Sequence, residues 1–133
     1  MTETVRQPMA MNIVLKSPKE IALMRRAGSI VAQILATLAK AVKPGVRTEE
    51  LNAIAEQELA QMQAQSSFKG YRGYPAVLCT SINDEIVHGI PGKRTLKEGD
   101  IVSLDFGAIY KGFHGDSAIT IGVGTISPEA QRL

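Results

Sequence analysis

Asp105 and Asp116 are the two residues of this sequence whose type and spacing most directly suggest chemistry. Around each aspartate, apolar residues alternate with other residues, which predicts two β-strands, at 101–106 and 116–121. Lys111-Gly112 lies between them and is typical of a hairpin turn, because glycine readily adopts the positive φ that such a turn requires. We therefore expect a β-hairpin with one aspartate in each strand.

A two-residue turn at 111–112 would also set the register of this hairpin. Asp105 then lies opposite Ala118, and Asp116 lies opposite Gly107. Because alternate residues of a strand point to the same face, both carboxylates are expected on one face of the sheet. They become diagonal neighbours about 7–8 Å apart at the backbone, close enough for both to bind one ion.

Two carboxylates at the centre of apolar strands are energetically costly. A buried ionised carboxylate must be paired, bind a metal or take up a proton. Two like charges at this distance also raise each other's pKa unless a cation lies between them. The pair therefore indicates a divalent-metal site, and the alternative is a solvent-facing sheet surface that carries two unrelated aspartates.

The composition is typical of a soluble globular protein. The chain has 133 residues, enough for one modest domain, with 44% hydrophobic and 21% charged residues. Its net charge of +2 comes from scattered cations, which argues against nucleic-acid binding. Cys79 is the only cysteine, so an intrachain disulfide is excluded and a reducing compartment is expected. We find no secretory signal and no apolar stretch approaching a membrane span, and therefore expect a cytoplasmic protein without DNA or membrane contacts.

Two helices are predicted before the first strand. Ser17-Pro18-Lys19-Glu20 has the residues of a capping box and starts a helix that Pro44-Gly45 ends. Thr48 is predicted to cap a second helix, which fades at 63–67. Two helices followed by strands predict an α+β fold. The expected buried faces are Ile21, Met24, Gly28, Val31, Leu35, Leu38 and Val42 in the first helix, where Gly28 would admit another element closely, and Leu51, Ile54, Ala55, Leu59 and Met62 in the second.

The segment from 68 to 92 combines turn residues with several reactive side chains. A Gly/Pro-rich loop carries Tyr71 and Tyr74, which either line a pocket or cover the edge of the core. A strand at 76–80 would contain Cys79, and a second short strand at 85–88 would end in His88. His88 precedes a rigid Gly-Ile-Pro-Gly exit, a place where functional sites tend to lie, although a lone histidine is more often structural.

The two ends of the chain carry separate expectations. Residues 1–11 have no periodicity and are expected to form a disordered tail. Ser127-Pro128 repeats the Ser-Pro helix start seen at 17–18, only a few residues before Leu133. Because so short a helix is not stable by itself, we expect it to belong to a larger domain that is interrupted there.

The segments 70–92, 99–124 and 127–133 together resemble type I methionine aminopeptidase of the bacterial kind. The similarity extends from about Ile13 to the end, and the Ser-Pro-Lys-Glu-Ile helix start also fits. Prolidase, aminopeptidase P and creatinase, which share the "pita-bread" fold, have the same aspartate spacing. The Tyr-Arg-Gly-Tyr-Pro loop and the His-Gly-Ile-Pro run favour methionine aminopeptidase over them.

The resemblance implies a fold, a reaction and a site. The fold is a pita-bread domain of two similar halves, of which 12–133 corresponds to the first. The reaction is removal of the initiator methionine from nascent chains, with contact to the ribosome, by a monomeric cytoplasmic enzyme that uses two divalent ions (Co, Mn, Fe or Zn). The matched positions are Asp105 and Asp116 as metal ligands, His88 as a catalytic and substrate-binding histidine, and Tyr71, Tyr74 and Cys79 as the lining of the methionine pocket.

The chain departs from the family in one respect. The other metal ligands of the family, one histidine and two glutamates, lie in its second half together with a second substrate histidine. We therefore expect the 133-residue chain to be inactive and its full-length parent to be active. The alternatives are a non-catalytic pita-bread binding module, in which the aspartates need not persist, and a pseudogene product.

Overall fold

A long β-strand at the centre of one sheet organises the computed structural model, which describes residues 13–133. The predicted tail at 1–11 lies outside the described residues. In chain order the elements are α1 (Pro18–Ala41), α2 (Thr48–Gln61), β1 (Gln65–Ser66), a 3-10 turn (Tyr71–Gly73), β2 (Leu78–Ile82), β3 (Ile101–Tyr110), β4 (Phe113–Gly122) and α3 (Pro128–Arg132). Strand β4 pairs with one edge of β3, while β1 and β2 follow each other along its other edge, all antiparallel. The predicted α+β organisation, helices first and antiparallel strands second, is confirmed.

The β3–β4 hairpin has the predicted register. Tyr110 pairs with Phe113 around the turn, where Lys111 and Gly112 have φ values of +46° and +85°. Positive φ at both central residues is the geometry that matches a two-residue turn to the twist of the strands. The two strands extend beyond the predicted ranges, to ten residues each.

The sheet has one covered face and one open face. The covered face of β3 consists of Val102, Leu104, Phe106 and Ala108, all fully buried. These residues join Ile30, Ile34 and Leu38 of α1 and Leu51 of α2 in the hydrophobic core. The intervening residues of β3 point to the opposite face, which the helices do not cover.

Helix α1 starts as predicted, but its buried stripe begins later. The Ser17 hydroxyl accepts a hydrogen bond from the Glu20 N–H (3.2 Å), and the Glu20 carboxylate accepts one from the Ser17 N–H (2.9 Å). The predicted core positions Ile21 and Met24 are 44% and 39% exposed. The fully buried residues start at Ala27, where the helix backbone meets β4, so the turns before it contribute little to the core.

The close approach expected at Gly28 exists, but a different glycine makes it possible. A side chain at Gly28 would meet nothing within 4 Å, whereas a Cβ on Gly115 of β4 would lie 2.8 Å from the Ala27 carbonyl carbon and from the Gly28 nitrogen. Helix and strand backbones therefore touch at this point because Gly115 has no side chain.

The 24-residue helix α1 is long and apolar enough to cross a membrane by length and composition alone. The expectation that no apolar stretch approaches this length is therefore wrong by that criterion. The helix contributes six buried residues to the core against β3 and β4.

The start of α2 differs from the prediction by one residue. Arg47 occupies the cap position, and its N–H donates to the Glu50 carboxylate (2.6 Å). Thr48, the predicted cap, is the first helical residue. Its hydroxyl instead donates to the Gly92 carbonyl (3.1 Å) and accepts from the Gly92 N–H (2.8 Å), which ties the helix to the loop before β3.

The strand predictions around Cys79 need two corrections. Strand β2 begins at Leu78 rather than at residue 76, because the Val77 N–H donates to the Asn52 side chain of α2 (3.0 Å). The predicted strand at 85–88 is a loop. Ile86 is 89% exposed and His88 has a φ of +61°, so this segment neither buries an apolar face nor keeps an extended backbone.

Replacing Gly115 by alanine should destabilise the protein by about 1–3 kcal/mol, because the new methyl group would push α1 and β4 apart. The matched control is Gly28→Ala, which adds a methyl group on the exposed side of the same contact. It should stabilise the helix by about 1 kcal/mol. Urea unfolding of both variants measures the difference, and equal unfolding free energies would contradict the described contact.

Asp100 is expected to make the stability of the protein depend on pH. Its carboxylate accepts hydrogen bonds from the Asn83 side chain and the Lys97 N–H, both 2.9 Å, and these bonds lower its pKa. A depressed folded-state pKa gives stability that is present above the unfolded-state pKa and is lost as the pH falls through the folded-state value. Asp100→Asn should therefore lower the melting temperature at pH 7 more than at pH 3. A difference in melting temperature for Asp100→Asn that is the same at pH 3 and at pH 7 would contradict the assignment.

Candidate metal centre and cleft

A cleft of about 590 Å³ opens between the uncovered face of the sheet and the two loops that flank β2. Strands β3 and β4 contribute its carboxylates, the loop at 68–75 contributes aromatic side chains, and the loop at 83–92 contributes a histidine. All six residues that the sequence singles out line this one cleft: Tyr71, Tyr74, Cys79, His88, Asp105 and Asp116.

The hairpin places the two carboxylates as expected. Asp105 pairs with Ala118 and Asp116 pairs with Gly107, so the aspartates are diagonal neighbours on the open face. Asp105 is half-buried and Asp116 is exposed. Burial raises the pKa of Asp105, the neighbouring Asp116 carboxylate raises it further, and His88 lowers it. This is the electrostatic situation that a bound cation would relieve.

The donor set fits part of a metal site. Carboxylate oxygens are suitable ligands for divalent cations, and both aspartates reach the same cleft. Within residues 13–133, however, no group of three or more histidine, cysteine, aspartate or glutamate side chains is placed to hold an ion. The two carboxylates therefore fit a metal as two of its ligands, and further donors are needed for a complete coordination shell.

Cys79 lies beside the carboxylate pair. It pairs with Asp105 across β2 and β3, and its side chain is buried on the same face of the sheet. Burial raises the pKa of the Cys79 thiol, and the charges of the two aspartates add to this, while the Tyr74 hydroxyl opposes it. The thiol therefore stays protonated at neutral pH and presents an uncharged, polarisable surface to the cleft.

Tyr74 connects the aromatic loop to the sheet. Its hydroxyl donates to the Leu78 carbonyl (2.9 Å), and burial raises its pKa strongly. Its ring meets Phe68 edge to face at 6.3 Å between centroids. Tyr71, by contrast, is 63% exposed at the rim. Of the two interpretations of these tyrosines, the one that places them at a pocket matches the structure.

Sequence reasoning missed several cleft residues. Phe68, Arg72 and Ile90 all line the cleft. Phe68 begins the aromatic loop, and its ring lies against Gly107, where a Cβ would come within 3.0 Å of it. The pairing of Phe68 with a glycine of β3 is a long-range contact, which residue spacing does not reveal. Arg72 carries its guanidinium over the Tyr71 ring at 5.2 Å, also without a signal in the sequence.

Comparison with known proteins gives evidence on the family of this chain, which the geometry of the cleft does not give. The profile of metallopeptidase family M24 matches residues 22–133. The methionine aminopeptidase 1 of Bacillus subtilis is 50% identical over 121 residues, and that of Clostridium acetobutylicum is 52% identical over 122. Each alignment covers 91% of this chain and 49% of the relative, so the chain spans about half the length of the curated relatives it matches.

The fold is similar to that of solved methionine aminopeptidases. The enzyme from Rickettsia prowazekii superposes with a TM-score of 0.89 at 35% identity, over 92% of this chain and 49% of that one. The pita-bread architecture implied by the resemblance is thereby confirmed for the half that this chain represents.

The effect of one aspartate on the pKa of the other can be tested without a bound metal. Asp116→Asn should lower the pKa of Asp105, because it removes the neighbouring negative charge, but burial should keep that pKa above its ordinary value. A carboxyl-carbon NMR titration of Asp105 measures this shift. Glu129→Gln, in α3 and outside the cleft, is the control and should leave the pKa of Asp105 unchanged; an unchanged value in Asp116→Asn would contradict the described pairing.

Proposed function

The chain belongs to metallopeptidase family M24, and on that premise we propose that its protein removes N-terminal methionine from peptides and nascent proteins. The observation that supports this most directly is the single cleft that contains the carboxylate pair, the histidine and the aromatic loop. The 50% identity to a methionine aminopeptidase extends over nearly the whole chain. The site residues and their roles below are part of the proposal.

Asp105 and Asp116 are proposed as ligands that would hold two divalent ions. Cobalt, manganese, iron and zinc all suit a site of mixed carboxylate and imidazole donors. When bound, the metal ions would supply the Lewis-acid and water-acidifying chemistry that peptide hydrolysis requires. The two aspartates would hold these ions inside the cleft, next to the proposed substrate-binding residues.

His88 is proposed to contact the substrate beside the metal centre. Its imidazole is exposed and lines the same cleft as Asp105. A ring nitrogen there can donate a hydrogen bond to the reacting amide and so stabilise charge that develops in the transition state.

The part of the cleft formed by Cys79 and the aromatic loop suits a methionine side chain; this wall lies next to the carboxylate pair. Tyr71, Tyr74 and Cys79 present two aromatic rings and a neutral thiol to the cleft. A thioether packs well against aromatic rings and against other soft, uncharged groups. We therefore place the methionine side chain of the substrate along this wall.

The complete site needs donors beyond these two carboxylates. We infer that the 133-residue chain alone has no peptidase activity, and that a longer protein supplies the remaining ligands. We also infer a cytoplasmic, monomeric enzyme that acts on nascent chains near the ribosome. The non-catalytic binding module is less favoured, because both aspartates persist with a geometry that suits a metal.

Activity of the longer protein tests the proposal. Asp105→Asn and Asp116→Asn should each lower kcat/KM for a Met-Gly peptide by about 100-fold or more, since even loss of an outer-shell partner costs 10–100-fold. Asp84→Asn, an exposed aspartate outside the cleft, should retain activity. Wild-type-like hydrolysis in either cleft variant would refute the metal-ligand assignment.

The isolated chain provides a second test. The 133-residue chain, supplied with cobalt or manganese, should show no measurable hydrolysis of the same peptide. The longer protein, assayed in parallel, is the positive control. Robust hydrolysis by the short chain that a chelator abolishes would show that two aspartates suffice, contrary to the inference.

A further inference from the structure

His88 has a backbone conformation that requires support from its surroundings. Its φ is +61°, in the left-handed region that few residues other than glycine adopt without a local reason. The two residues before it do not provide that support, since Ile86 and Val87 are 89% and 61% exposed. The residue that follows His88 is the buried one of its two neighbours and is therefore the nearest point at which the loop can be fixed.

Gly89 is the residue at which this loop is fixed to the sheet. Its carbonyl accepts a hydrogen bond from the Thr80 N–H (2.8 Å), and its own N–H donates to the Ser81 hydroxyl (3.1 Å). A Cβ at Gly89 would lie 2.1 Å from the Thr80 carbonyl oxygen, so the loop backbone rests directly on β2. Gly89 is buried, although His88 and Ile90 on either side are exposed.

Ser81 lies on the same face of the sheet as the carboxylate pair. It pairs with Ser103 of β3, two positions along β2 from the pair formed by Cys79 and Asp105. Its side chain is almost completely buried, with 4% of the residue exposed. The proposed chemistry makes no use of this hydroxyl, yet it satisfies the amide next to the proposed catalytic histidine.

We propose that Ser81 is a positioning residue, whose hydroxyl fixes the backbone at Gly89 and thereby holds the His88 imidazole over the cleft. The proposal rests on the substrate-binding role proposed for His88. Without the hydroxyl, the buried Gly89 N–H has no acceptor, and a buried donor without a partner is unfavourable. The loop is then less constrained. His88 relaxes toward negative φ, and its ring moves away from the reacting group. Strained conformations persist only where neighbours over-determine them, and Ser81 is one of those neighbours.

Hydrogen exchange of the intact protein tests the anchor independently of activity. Ser81→Ala should speed exchange of the Gly89 amide by roughly tenfold or more, because its only described acceptor is removed. Ser103→Ala is the matched control. It removes the directly paired hydroxyl, which bonds Thr120 instead (2.8 Å), and should leave Gly89 unchanged. Ser81→Thr retains the acceptor and should restore protection of the Gly89 amide. If the alanine variant does not fold, Ser81→Cys replaces it in the experiment, because the cysteine fills the same space with a weaker acceptor.

A double-mutant cycle then asks whether Ser81 acts through His88. Ser81→Ala should lower kcat by roughly tenfold with little change in KM, and should have no further effect when His88 is already alanine. Equal losses with and without His88 would overturn the positioning role, as would unchanged exchange of the Gly89 amide. These kinetic measurements use the longer protein that supplies the remaining ligands. If that longer protein in its wild-type form has no aminopeptidase activity, the proposed function fails, and the exchange result alone supports or overturns the anchor.

Discussion

The strand register that keeps two carboxylates on one open face of the sheet is the constraint on which the cleft depends. Asp105 is half-buried beside Asp116, and burial together with that neighbouring charge raises its pKa. The pair is tolerable only where both side chains stay on the open face. A slip of one residue would move the carboxylate of one strand onto the face that packs against α1, where the core is apolar. The two-residue turn at Lys111-Gly112 excludes that slip, so a local feature of the backbone determines where the charge lies.

Backbone contacts then bring the other elements to this hairpin. On the covered face, Gly115 lets α1 lie directly on β4. Beside the open face, Gly89 lets the histidine loop lie directly on β2. In both places two main chains approach more closely than any side chain would permit. The positions of the core helix and of the histidine are therefore coupled to the sheet through close backbone contacts, to which the Ser81 hydroxyl adds a hydrogen bond at Gly89.

The features that sequence reasoning predicted correctly are local ones. The capping box at Ser17 and the register of the hairpin each follow from a few adjacent residues, and the structure confirms both. The errors concern long-range partners. The segment at 85–88 has the composition of a strand, but no other element of the described chain covers its apolar side chains. Ile21 has the spacing of a core residue but lies before the sheet begins to cover the helix. The sequence did not indicate Phe68 as a cleft residue for the same reason, because its partner Gly107 is far away in sequence. The reaction itself came from the family resemblance, since spacing alone indicates only a carboxylate pair near a histidine.

The environment of Cys79 also determines how this cleft responds to oxidants and alkylating agents. The thiolate, not the thiol, is the species that reacts with peroxides, disulfides and electrophiles. Burial and the adjacent carboxylates raise the pKa of Cys79, so very little thiolate is present at neutral pH. Burial first, and the neighbouring carboxylates second, therefore make the cysteine of this cleft a poor target for oxidants and alkylating agents, although it lies beside the reactive groups of the site.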